Sequence, residues 1–131
     1  LIDESYNSNP LSLKSALKNF DMINVNNSKK HLILGDMLEL GKYSKKLHIE
    51  ISKSINNTSF SNVNVIGNYI KDTYKNINIA KRGLILKNNA QIIDLIKKNI
   101  NNNDYLMIKG SHSTGLNKLT NNIKMGKINA L

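Results

Sequence analysis

The apolar positions of this chain come in short bursts with two rhythms, and their alternation predicts the fold. Leu1 and Ile2 open a strand-like start, a polar amide-rich stretch follows, and after Asn9-Pro10 the residues Leu13, Ala16, Leu17 and Phe20 recur at helical spacing. Asn9 suits the helix N-cap, and Pro10 suits the first helical position, where the missing amide hydrogen has no partner to lose. Leu32-Ile33-Leu34, entered from His31 and closed by Gly35, is a short continuous run of the kind found in strands buried on both faces. Ser44 is expected to cap a second helix carrying Leu47, Ile51 and Ile55. Val63, Val65 and Ile66 read as a strand stopped by Gly67, and a short helix or turn is expected over residues 69–74. Leu84-Ile85-Leu86 is a fourth short strand, and Asn88 or Asn89 caps a helix containing Ile92, Ile93, Ile96 and Ile100. Tyr105-Leu106-Met107-Ile108 is the clearest buried strand, and Leu116, Leu119 and Ile123 outline a last helix before a weakly periodic tail.

Strand and helix thus alternate about five times with short connections, which predicts an α/β domain. Its sheet should be mostly parallel, with about five or six strands and helices on both faces, three layers in all. Residues 1–131 read as one domain, without internal repeat or linker. In a parallel sheet every loop that leaves a strand emerges at the carboxyl edge, where open α/β sheets bind ligands. Residues 3–9, 35–41 and 109–115 should therefore share one rim.

Composition removes several functions. The chain has no cysteine, which excludes disulfides and thiolate metal sites. It has no apolar run of bilayer length and no signal-like core, so a cytoplasmic protein without a membrane partner is expected. The absence of an initiator Met and the immediate entry into a strand lead us to expect a fragment of a longer polypeptide. A net charge of +10 raises nucleic acid as a partner. Against it, the lysines are scattered, Arg82 is the single arginine, and the few aromatics are not interleaved with basic residues. Lys, Asn and Ile are enriched together, as AT-rich coding would produce, so a solvated basic surface and no nucleic-acid partner are expected.

The three loops carry the candidate chemistry. Asp3 and Glu4 end a strand ahead of a helix N-terminus, where adjacent carboxylates suit sugar hydroxyls or a cation, unless one of them caps the loop's own amides. Asn7 and Asn9 suit an adenine or amide edge, with the helix cap the stronger reading for Asn9. Asp36 and Glu39, bracketed by Gly35 and Gly41, suit an ammonium group or a cation, or form a solvated acidic loop. His48 lies beside an apolar helix face, where a histidine more often packs or bonds a loop than catalyses. Lys109, Ser111 and His112 together suit a carboxylate or phosphate clamp, or Lys109 simply snorkels past the strand end. A Gly-x4-Gly-Lys-Ser/Thr loop occurs nowhere in the chain, so it lacks machinery for gripping a triphosphate alone.

The run Asp3-Glu4-Ser5-Tyr6-Asn7-Ser8-Asn9-Pro10-Leu11-Ser12 with Ala16-Leu17 resembles the opening of the C-terminal domain of the Mur ligases. Leu34-Gly35-Asp36-Met37-Leu38-Glu39-Leu40-Gly41 with His48, and Ile108-Lys109-Gly110-Ser111, resemble two further motifs of that domain. The first two motifs are most similar to the branch that adds D-alanyl-D-alanine to UDP-N-acetylmuramoyl-tripeptide. Ser8 stands where Ala is usual and His112 where Arg or Asn is commoner, and residues 113–118 follow the family only loosely.

The resemblance implies a Rossmann-like domain at the end of a three-domain, ATP-dependent peptide ligase. In that family the central domain holds ATP and Mg²⁺ on a P-loop, and the N-terminal domain holds the UDP-sugar. The tripeptide carboxylate is activated as an acyl phosphate, which the amine of the dipeptide attacks. By position, Asp3, Glu4, Asn7 and Asn9 would adjoin the nucleotide, the acidic pair facing its ribose. Asp36, Glu39, His48, Lys109, Ser111 and His112 would border the dipeptide, with Lys109 or Ser111 near its carboxylate. No catalytic residue or metal ligand is expected in this fragment, which should be a monomer and inactive alone. The competing expectation is a stand-alone flavodoxin-like binding or regulatory module.

Overall fold

In a computed structural model, residues 2–4, 9–24 and 27–110 are described, the first three by their backbone alone. The elements are β1 (Ile2–Glu4), α1 (Pro10–Met22), β2 (Lys30–Gly35), α2 (Ser44–Asn56), β3 (Asn62–Ile66), α3 (Lys71–Asn76), β4 (Arg82–Leu86), α4 (Asn89–Asn99) and β5 (Tyr105–Lys109). Single 3-10 turns at Gly41–Tyr43 and Ile79–Lys81 lead into α2 and β4. The expected last helix, with Leu116, Leu119 and Ile123, lies outside the described residues, as do Asn7, Ser111 and His112.

Five strands pair in parallel in the order β1-β5-β2-β3-β4. The chain therefore steps outward from β2 to β4 and then returns through α4 to lay β5 between β1 and β2. Alternation along the strands separates two cores. Leu32 and Leu34 of β2, Val63 and Val65 of β3 and Met107 of β5 face Leu13, Leu17 and Phe20 of α1 and Ile51 and Ile55 of α2. Ile33, Leu106, Ile108 and Leu86 face the opposite way, onto Ile92, Leu95 and Ile96 of α4. Helices thus cover both faces, as the periodicity predicted. β4 is an edge strand, and Leu84 and Ile85 on it remain exposed.

The two Asn caps form as expected. Asn9 Oδ1 accepts from Ser12 N at 2.9 Å while the Ser12 hydroxyl accepts from Asn9 N, a capping box. Asn88 Oδ1 accepts from Gln91 N at 3.0 Å. The expected Ser44 cap is corrected: the 3-10 turn carries the chain into α2, so Ser44 is already helical and caps nothing. The buried stripe of α2 is also shifted from the expected Leu47, Ile51 and Ile55. It runs His48, Ile51, Ser52 and Ile55, spaced i, i+3, i+4 and i+7.

Two polar devices hold the sheet together. Asn64, 1% exposed in the middle of β3, sits at a break in register between Val63 and Val65. Its Nδ2 donates to Leu32 O at 3.0 Å and its Oδ1 accepts from Leu84 N at 2.8 Å, so one side chain bridges β2 to β4. At the amino edge, Asp104 Oδ2 lies 2.9 Å from His31 Nε2, and the same carboxylate accepts from Lys29 N and Asn101 N. Burial pushes the Asp104 carboxyl up, but the Lys29 amide, the His31 ring and the Asn101 amide outweigh it and hold the group below the ordinary aspartate value.

Candidate functional site at the carboxyl rim

The register fixes the rim. Glu4 of β1 pairs with Lys109 of β5, Lys109 with Leu34 of β2, Gly35 with Ile66 of β3, and Ile66 with Leu86 of β4. The strand ends of residues 2–4, 30–35 and 105–109 therefore stand side by side, and the loops that leave them start from one edge. Glu4 and Lys109 are direct neighbours, with the 35–41 loop leaving the next strand over.

Within that loop each residue has a distinct fate. Asp36 is 9% exposed. Its Oδ1 accepts from Ile70 N at 2.8 Å and its Oδ2 from Asn68 N at 3.1 Å, so the carboxylate ties the loop after β2 to the turn after β3. The expected solvated acidic loop is corrected at this position: the carboxylate is buried and accepts from two backbone amides. Gly67 makes the approach possible. It has φ +129°, and a Cβ there would lie within 2.6 Å of Asp36 Oδ2. A phosphoacceptor aspartate, as in the regulatory module considered above, needs an accessible oxygen, and Asp36 does not present one.

Met37 is fully buried, and its amide donates to His48 Nε2 at 3.1 Å. His48 Nδ1 donates to Ser44 O at 2.7 Å, so both ring nitrogens are occupied by the backbone of the loop and of its own helix. His48 is fully buried and its carbonyl accepts from Thr73 Oγ1, which fastens α3 to α2. These bonds make it the loop-bonding histidine that the sequence suggests. Tyr69, half exposed, stands with its ring 6.0 Å from the His48 ring.

Glu39 is different. It is exposed and adopts φ +62°, a left-handed backbone that a residue with a Cβ rarely takes. Gly41 follows at φ +57° and opens the 3-10 turn. Lys109 is 2% exposed in the last position of the central strand β5, so the snorkelling alternative does not describe it. Asn9 Oδ1 makes the helix cap, the stronger local reading of that residue. For Asp3 and Glu4 the strand position at the rim is what the structure gives.

Sequence reasoning missed the Asn64 bridge, the Asp104–His31 pair and the turn at residues 67–70 as a partner of the 35–41 loop. A glycine closing β3 next to an aspartate closing β2 was the available sign of the last. A groove of about 360 Å³ runs between β4 and α4. At the rim Asp36, Met37 and Lys109 are buried, and Glu39 is exposed. Among the described residues no cluster of three or more His, Asp and Glu could hold a metal, and no helix is long and apolar enough to cross a membrane.

Comparison with known proteins agrees with this geometry. Residues 1–112 match the family described as Mur ligase, glutamate ligase domain. The chain is 32% identical over 121 residues to the UDP-N-acetylmuramoyl-tripeptide--D-alanyl-D-alanine ligase of Rickettsia prowazekii, covering 91% of this chain and 26% of that protein. The ligase of the same name from Buchnera aphidicola of Acyrthosiphon pisum is 32% identical over 126 residues, covering 94% of this chain and 26% of its own. The chain thus spans about a quarter of the length of these relatives. Among solved structures, the MurF ligase of Thermotoga maritima in complex with ADP superposes with a TM-score of 0.73 at 20% identity, over 89% of this chain and 26% of that one. A MurF structure from Acinetobacter baumannii gives 0.73 at 21%, over 92% and 26%. At such identity the structures speak for the fold, and the family match over most of the sequence decides the rest: this chain belongs to the Mur ligases, in their glutamate ligase domain.

Proposed function

We propose that this chain is the C-terminal domain of a three-domain, ATP-dependent ligase that joins D-alanyl-D-alanine to UDP-N-acetylmuramoyl-tripeptide during synthesis of the cell-wall peptide, in the cytoplasm. The observation that carries this reading is that relatives bearing that activity in their names align with nearly the whole chain, while the chain accounts for 26% of their length. The rim supports it: β1, β5 and β2 deliver an acidic strand end, a lysine and a glycine-bracketed loop to one edge, half of a pocket that another domain closes.

ATP is a substrate here, and Mg²⁺ supplies charge neutralisation at its phosphates from the central domain. The described residues of this chain do not fit a Mg²⁺ site, and their work is binding and enclosure. One of the adjacent pair Asp3 and Glu4 faces the ribose of the nucleotide, with Asn7 shaping the loop beside it. The 35–41 loop and residues 109–112 border the incoming dipeptide, Lys109 or Ser111 near its carboxylate. Swinging this domain over the activated tripeptide excludes water that would otherwise hydrolyse the acyl phosphate.

The test is a substrate panel on the complete polypeptide, following phosphate release and product mass. Ligation should require ATP, the UDP-linked tripeptide and D-alanyl-D-alanine together, and the 131-residue chain alone should turn over nothing. Consumption of a single amino acid in place of the dipeptide, or ligation by the isolated chain, overturns the proposal.

A further inference from the structure

We infer that Glu39 is the residue that meets the amino group of the incoming dipeptide, and that Asp36 and His48 are positioning residues that hold it there by fixing the start of the 35–41 loop. The inference rests on the ligase reading above and deepens it by assigning roles within one loop.

The lock is visible bond by bond. Asp36 takes the Asn68 and Ile70 amides, the Met37 amide is held by His48 Nε2, and His48 is in turn fixed by Ser44 O and by Thr73. Gly67 leaves no room for a side chain between the two loops. The turn after β3 and helix α2, the latter tied to α3 through Thr73, thus hold two consecutive residues, Asp36 and Met37, at the start of the loop that carries Glu39.

The backbone of Glu39 gives the second line of argument. At φ +62° glycine or asparagine would be at home, and a longer side chain is strained. The position nevertheless carries an exposed carboxylate, next to Gly41, where the chain does use glycine for the same conformation. Strain held at an exposed residue by an over-determined surround is what a presented binding group looks like. An exposed carboxylate on the loop that leaves β2 at the rim suits a primary ammonium, from which it accepts charge-assisted hydrogen bonds.

The test compares steady-state kinetics of variants of the complete polypeptide against all three substrates. Glu39→Gly relieves the strain, so it should leave the melting temperature equal or higher while raising KM for the dipeptide about tenfold or more. Asp36→Asn and His48→Leu should raise the same KM by a similar factor and leave those for ATP and the tripeptide within about twofold. His48→Gln, whose amide oxygen can accept from Met37 N, should restore most of the loss. Asn64→Ala, which destabilises the sheet away from the rim, should leave all three KM values alone.

Unchanged dipeptide KM in Glu39→Gly overturns the inference, whatever the other variants do. So does a parallel rise of all three constants in Asp36→Asn, or an equal dipeptide effect in Asn64→Ala. If the unmodified protein uses a different amine, the ligase reading falls on the substrate panel. The inference is then judged by the effect of Glu39→Gly on that amine's KM, so the two failures stay distinct.

Discussion

Replacing Gly83 with alanine should expose how the β3–β4 edge is built. Gly83 has an ordinary backbone, so alanine brings no conformational penalty of its own, yet a Cβ there would lie 2.8 Å from Asn64 Cγ and 3.2 Å from Val63 O. The Asn64 amide must leave its place. Doing so gives up its bonds to Leu32 O and Leu84 N. Each such bond is worth about 0.5–1.5 kcal/mol net, and the stranded Leu32 carbonyl, enclosed among buried neighbours, adds about 1–3 kcal/mol. The Leu84 amide lies on a half-exposed edge and recovers water. Gly83→Ala should therefore cost about 2–4 kcal/mol.

The decisive comparison is the same substitution in an Asn64→Ala background. There the amide is already gone, the new methyl enters vacated space, and only the Val63 carbonyl has to yield by a few tenths of an ångström. The cost should fall below about 1 kcal/mol, and reduced freedom of the unfolded chain works in the same direction. Urea unfolding followed by far-ultraviolet circular dichroism on the four proteins of the cycle gives the coupling, expected at about 2–3 kcal/mol. Equal costs of Gly83→Ala in both backgrounds, to within about 0.5 kcal/mol, would refute the reasoning.

Two further expectations concern the ends of the sheet. Asp104→Asn should lower the unfolding free energy at neutral pH by about 1–3 kcal/mol, because a buried carboxylate accepting from two amides and a ring is lost. The Asp104 carboxyl titrates below its ordinary value of 3.8 in the fold, so its contribution is whole above that value and vanishes as pH falls through the folded-state value. Urea midpoints of variant and parent should converge in strong acid, and a gap that persists there contradicts the assignment. Asn9→Ala removes the capping box and should cost about 1 kcal/mol in the same assay.

The layered architecture was legible because two periodicities, helical and extended, change places cleanly along the chain. Leu32-Ile33-Leu34 and Leu106-Met107-Ile108 are apolar at consecutive positions, and such runs are buried on both faces, as the central strands β2 and β5 are. Strand order was not legible, since nothing local tells β5 to turn back between β1 and β2. The α2 stripe was misread by one residue because the reading counted only aliphatic side chains. The buried face is continued by His48 and Ser52, whose polar atoms are satisfied by backbone groups of α2 itself and of the loop before it, partners that a hydropathy pattern does not register. For the same reason Asp36 looked like a solvated acid: its partners, Asn68 and Ile70, lie more than 30 residues away.

That failure has a physical pattern. A carboxylate followed by glycines and flanked by apolar residues is written identically whether it faces water, a ligand or a distant amide, because its free energy is decided by donors that the fold supplies later. Asp36 and Glu39 differ by three positions and share a side-chain chemistry, yet one is sunk against Gly67 and the other stands outward at a left-handed backbone. The division is set by Gly67: only a residue without a Cβ lets the Asp36 carboxylate reach the turn after β3. With Asp36 so anchored, Glu39 is left as the exposed carboxylate of the loop that leaves β2 beside the ends of β5 and β1.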